Sequence, residues 1–86
     1  MVVDDLKKAL DALEAGQCQM GDHWEVAHNI AQAHEGQAAF DRIHALVHRI
    51  EGDSFNAKYW YRRAGVEPFA GTLSDELAAL RADLLT

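Results

Sequence analysis

Five histidines fall between residues 23 and 48 of this 86-residue chain, and two of them, His44 and His48, stand four residues apart with Glu51 three further on. Positions i, i+4 and i+7 share one face of a helix, and Asp41 falls beside them. His28 and Glu35 sit on the preceding segment, next to the Trp24–Ala31 edge. If the two segments pack as an antiparallel pair, His28 and Glu35 turn toward His44, His48 and Glu51. Imidazoles and carboxylates so spaced within a bundle suit a divalent transition metal, Zn, Ni, Mn or Fe. His44 and His48 are the first ligands on this reading, Glu51 and His28 come next, and Asp41 orients an imidazole from behind. The motif alone has low specificity, because Ala45 follows His44 where the zinc-protease signature requires Glu. The alternatives are histidines packed at the core boundary against Asp41, Glu35 or Glu51, or a pH switch. His34 falls within the apolar arc of its segment and reads as a core residue with a partner; His23, in a first helical turn, reads as exposed.

A second group lies at 55–63, where Phe55, Tyr59, Trp60 and Tyr61 alternate with Lys58, Arg62 and Arg63. Such a helix either packs in the core, with its arginines paired to Asp53, Glu51 or Glu67, or presents Trp60 and Tyr61 to a protein partner. A third option is a small anionic ligand held by Arg49, Arg62 and Arg63. Residues 42–63 carry a net charge of +3 and the rest −9, within a total of −6. That balance argues against bulk nucleic-acid binding, which needs a basic surface.

These groups need helices to position them. Gly16, Gly21, Gly36, Gly52, Gly65 and Gly71 divide the chain into stretches of helix length, and the one proline, Pro68, sits in a link. The first segment, about 3–15, places Val3, Leu6, Leu10 and Leu13 on one stripe. The second, about 22–35, opens on Asp22 and Glu25 as a variant capping box and carries an arc of Trp24, Val26, Ala27, Ile30 and Ala31. The third, about 37–51, aligns Phe40, Ile43, Leu46, Val47 and Ile50 and stops at Gly52. The fourth, about 53–64, has Asp53 as N-cap, and the fifth, about 72–86, has Thr72 or Ser74 as cap and a Leu73–Leu77–Leu80–Leu84 stripe. The terminal leucine stripes read as core, with a dimer seam as the alternative. The expected fold is an all-α bundle of five helices in one domain, 1–86.

Residues 52–64 contain Gly52-Asp53, then Ala57, Tyr61 and Ala64. This pattern resembles the second helix of a tetratricopeptide-type repeat, with segment three as the first helix of a hairpin at about 37–64. The resemblance implies close helix approach over the two alanines, with Tyr61 filling the space between. The longer string His44-Ala45-x-x-His48-Arg49-x-Glu51-Gly52-Asp53-x-x-Asn56-Ala57-x-Tyr59-Trp60-Tyr61-Arg62-Arg63-Ala64-Gly65 resembles a group of small, mostly microbial helical proteins. That resemblance implies a fold and supplies no activity.

No run approaches the roughly 20 apolar residues of a membrane span. The N-terminus lacks the basic and apolar regions of a signal peptide. A lone cysteine, Cys18, excludes an internal disulfide and suits a reducing, cytoplasmic setting. Cys18 has no basic sequence neighbour and reads as structural or incidental. The leading functional expectation is a protein-interaction module, acting with a protein partner or as a homo-oligomer. Metal binding or metal-dependent catalysis comes next, and anion binding third.

Overall fold

The computed structural model describes residues 2–85. Five α-helices follow one another: α1 (Val2–Ala15), α2 (Asp22–Ala33), α3 (Ala38–Glu51), α4 (Ser54–Ala64) and α5 (Leu73–Leu84). No strand occurs among the described residues. The helices pack into a body of 27 × 24 × 22 Å.

Local chemistry sets the boundaries. Asp53 caps α4 by accepting the Asn56 backbone N–H at 3.1 Å, and Thr72 caps α5 by accepting that of Asp75 at 3.0 Å. α3 and α4 end by one device. Gly52 and Gly65 adopt the left-handed conformation, with φ of 85° and 75°. Asp53 N–H then donates to His48 C=O, and Val66 N–H to Tyr61 C=O. This closes the last turn while reversing the chain, which only glycine does without strain. α2 departs from the expected capping box. Its N-cap is Gly21, no side chain caps it, and Asp22 lies inside the first turn. There Asp22 acts on the helix dipole and not on an orphan N–H.

The core is the meeting of the expected stripes. Leu6, Leu10 and Leu13 of α1, Phe40, Ile43, Leu46 and Val47 of α3, and Leu77 and Leu80 of α5 share one buried cluster with Ala27 and Ala31 of α2. The terminal leucine stripes are therefore spent against each other and α3. Two expected members lie outside. Val3 is 58% exposed, because the stripe's buried part begins one turn later at Leu6. Val26 is 40% exposed. α2 buries only alanines fully, so the strip it presents is narrow and Val26 lies to one side of it. A second, smaller cluster joins α3 to α4 through Ala45, Ala57, Trp60 and Tyr61, with Phe69 against it.

α3 contacts all four other helices. Its charged and polar residues are thereby drawn inside: Asp41, His44 and His48 are all buried.

Leu10 is fully buried at the α1 face of the core. Leu10→Ala is expected to cost about 2–5 kcal/mol, read as a fall in the urea midpoint. A loss below about 1 kcal/mol would mean that α1 packs loosely.

Candidate metal centre

α2 and α3 bring three imidazoles together. His28 comes from α2, and His44 and His48 lie one turn apart on α3. One ring nitrogen of each lies within 4.8 Å of those of the other two. The rings are fixed by contact. His44 stacks on His48 at 5.0 Å between centroids, and His28 meets both edge-on, at 4.9 and 5.4 Å.

The walls are tryptophans. Trp60 of α4 lies flat on His44 with centroids 3.8 Å apart, and Trp24 lies flat on His28 at 5.0 Å. Trp24 is itself held by its indole N–H, which donates to the Val47 carbonyl at 2.7 Å. α2, α3 and α4 thus all fix the rings, though only α2 and α3 supply donors.

Glu51 takes the supporting role. Its Oε1 accepts from His48 Nδ1 at 2.8 Å. In a neutral ring this leaves the Nε2 lone pair free. Such a carboxylate–imidazole pair fixes the tautomer and raises the donor's basicity. Asp41, expected to orient an imidazole, instead accepts the Gly36 backbone N–H through Oδ1 at 3.1 Å, closing the α2–α3 turn. Its Oδ2 is buried without a partner. Glu35 also leaves the expected cluster. α2 stops at Ala33, so Glu35 falls in the turn, exposed and outside the helical register. His34, the C-cap residue of α2, is half-buried. It stacks on Phe40 and its Nε2 pairs with Asp5 Oδ2 at 2.8 Å, so it joins α1 to the end of α2.

The electrostatics favour uncharged rings at His44 and His28. Burial pushes the His44 pKa down to about 3, with His48 and His28 adding to the effect. Burial and the proximity of His48 also lower that of His28. Near neutral pH both present lone pairs without having to lose a proton, the state a metal ligand needs. His44 Nδ1 is buried and has no hydrogen-bond partner. Leaving such an atom unpaired costs about 1–3 kcal/mol.

A second triad shares His48. His48, Glu51 and Asp53 also offer atoms within 4.8 Å of one another. Asp53 is occupied there, because both its oxygens accept from Asn56. The inner, all-imidazole triad is the less committed of the two.

Of the partner- and anion-binding candidates, Trp60 meets this centre by stacking on His44. Trp60 and Tyr61 are buried, facing α3, and the large exposed apolar side chains of α4 are Phe55 and Tyr59. Tyr61 O–H donates to Glu76, which also accepts from Arg49 Nη1 at 2.7 Å. Arg49 Nη2 donates to Gly71 C=O. Arg63 lies over the Tyr59 and Trp60 rings, and Arg62 is exposed. Glu76, the buried hub of this network, was not singled out by motif. Its position between Leu73 and Leu80 on the apolar stripe of α5 is the signal that marks it. Cys18 is half-buried in the α1–α2 turn, and burial, with Glu14 and Glu76 nearby, raises its thiol pKa.

Comparison with known protein families, curated proteins and solved structures finds no match to this chain.

The depressed His44 and His28 pKa values fix a pH dependence for the metal-free protein. The unfolded chain takes up protons on these rings near pH ~6.5, while the folded chain resists uptake. Their contribution to stability is complete above that pH and is lost progressively as pH falls toward about 3. The urea midpoint is expected to drop between pH 7.5 and 5, and His44→Phe, which keeps a stacked ring, is expected to flatten the drop. A midpoint that stays level in wild type would contradict the burial of neutral imidazoles.

Proposed function

We propose that this protein binds a divalent transition metal through His28, His44 and His48, with Glu51 supporting His48. The observation that carries this reading is the convergence of three imidazole nitrogens, from two helices, within 4.8 Å of one another. A tetrahedral ion with bonds of about 2.0–2.1 Å needs donors roughly 3.3 Å apart. The three donors, within 4.8 Å of one another, must therefore draw closer as the ion enters. The donors are all nitrogen, which suits Zn or Ni better than Mn, an ion that favours carboxylates and water. Three protein ligands leave a fourth position for water, the composition of catalytic zinc sites and not of closed structural ones.

Titration calorimetry with ZnCl2 and NiCl2 at pH 7 tests this reading. One ion per chain is expected, with binding lost in His44→Ala/His48→Ala. His28→Ala, at the more exposed edge, keeps the test valid if the double variant fails to fold. Glu51→Gln is expected to weaken binding by about 10–100-fold. Absence of saturable binding in wild type would overturn the proposal.

A second reading, an interaction module or homo-oligomer, is supported by one different observation. Phe55 is 81% exposed and Tyr59 39%, one turn apart on the outer face of α4. Exposed aromatics of this kind are typical anchors of protein contacts. Self-association is expected to appear as a concentration-dependent sedimentation coefficient that Phe55→Ser abolishes. A monomer at every concentration removes the homo-oligomer from consideration.

A further inference from the structure

On the side of α4 that carries Lys58 and Arg62, the chain leading to α5 forms the wall of a trough. Two adjoining cavities, of about 440 and 280 Å3, share Lys58, Tyr61 and Pro68. The larger has an apolar floor of Ala57, Pro68, Phe69 and Leu73, and the smaller reaches Arg62 and Glu67. The larger volume falls within the range of small-molecule sites, about 300–1,000 Å3.

The charges of this trough are unevenly satisfied. Arg49 is tied to Glu76 and to Gly71 C=O, and Tyr61 O–H is tied to Glu76. Lys58 and Arg62 have no ion-pair or hydrogen-bond partner among the described residues. They stand four residues apart, an arrangement of like charges that destabilises a helix. This occurs in a chain that carries 14 Asp and Glu residues against eight Lys and Arg. Glu67 is the one carboxylate on the wall near them, against two free cations.

We infer that this trough binds a small amphipathic carboxylate. Its anionic head lies between Lys58 and Arg62, and its apolar body lies on Pro68, Phe69 and Leu73. Both parts are required. The chain's net charge of −6 repels a simple anion at a distance, so local cations alone give little affinity. A neutral apolar molecule leaves the two cations unpaired. The site uses no residue of the imidazole cluster and stands whether or not that cluster binds metal.

The probes are sodium decanoate, sodium acetate and decanol, followed by amide chemical shifts of the labelled 86-residue chain. Decanoate is expected to bind saturably, one per chain, with shifts concentrated in 54–73. Its affinity should exceed that of acetate and of decanol by about tenfold or more, the scale of one charge-assisted contact. Lys58→Glu is expected to abolish the preference for decanoate over decanol. The same change converts the like-charge pair into an ion pair with Arg62, so α4 and the melting temperature are preserved. Arg62→Gln is expected to weaken decanoate binding while leaving decanol unaffected. Equal binding of decanol and decanoate, unchanged binding in both variants, or no saturable decanoate binding each overturns the proposal. So does binding to phosphatidate-containing vesicles without binding to free decanoate.

Discussion

α3 touches every other helix, and the six consecutive residues from Ile43 to His48 are all buried. A helix enclosed to that degree exposes polar side chains only at its edges, at Arg42, Arg49 and Glu51. To be tolerated there, His44 and His48 must be stacked or hydrogen-bonded. Trp60 meets the first requirement for His44, and Glu51 the second for His48. The same enclosure leaves Asp41 inside, with one oxygen spent on the α2–α3 turn. The candidate metal centre is therefore a product of how α3 is buried, and its donors are positioned by packing and not by loops.

Two polar systems sit on α3 and do not mix. The imidazole cluster faces α2 and the Trp60 side of α4. The Arg49–Glu76–Tyr61 network ties α3 to α5 and to the inner face of α4. Glu76 is nearly fully buried, and its carboxyl oxygens accept hydrogen bonds from a guanidinium and a phenol. That arrangement is tolerable because every strong donor finds its acceptor. It also removes Arg49 from the set of cations available to a ligand and leaves that role to Lys58 and Arg62.

Much of this was legible in the sequence. Gly52 and Gly65 mark helix ends because glycine, with no Cβ, takes a left-handed turn without steric cost, and Asp53 and Thr72 mark starts because their side chains reach an orphan N–H. The His44–His48–Glu51 spacing is a property of one helix and is readable without its neighbours. The participation of His28 needs only the pairing of α2 with α3. Choices between near-equal local partners were not legible. Asp41 and Glu51 flank the same histidines, and the closure of the Gly36 turn claimed Asp41. Glu35 depended on whether α2 ran two residues further. The outward set of α4 was obscured because its aromatic residues point almost all round, and only the helix's rotation against α3 decides that Trp60 is covered and Phe55 is not.

The chain has two tryptophans, and each lies flat against an imidazole of the cluster. Indole emission is quenched by a stacked imidazolium and by open-shell ions such as Ni. All of the protein's intrinsic tryptophan fluorescence therefore originates at one place, with one fluorophore on each side of the same three rings. Protonation, ion capture and separation of α2 from α3 would each change the light this protein gives off, without any attached label.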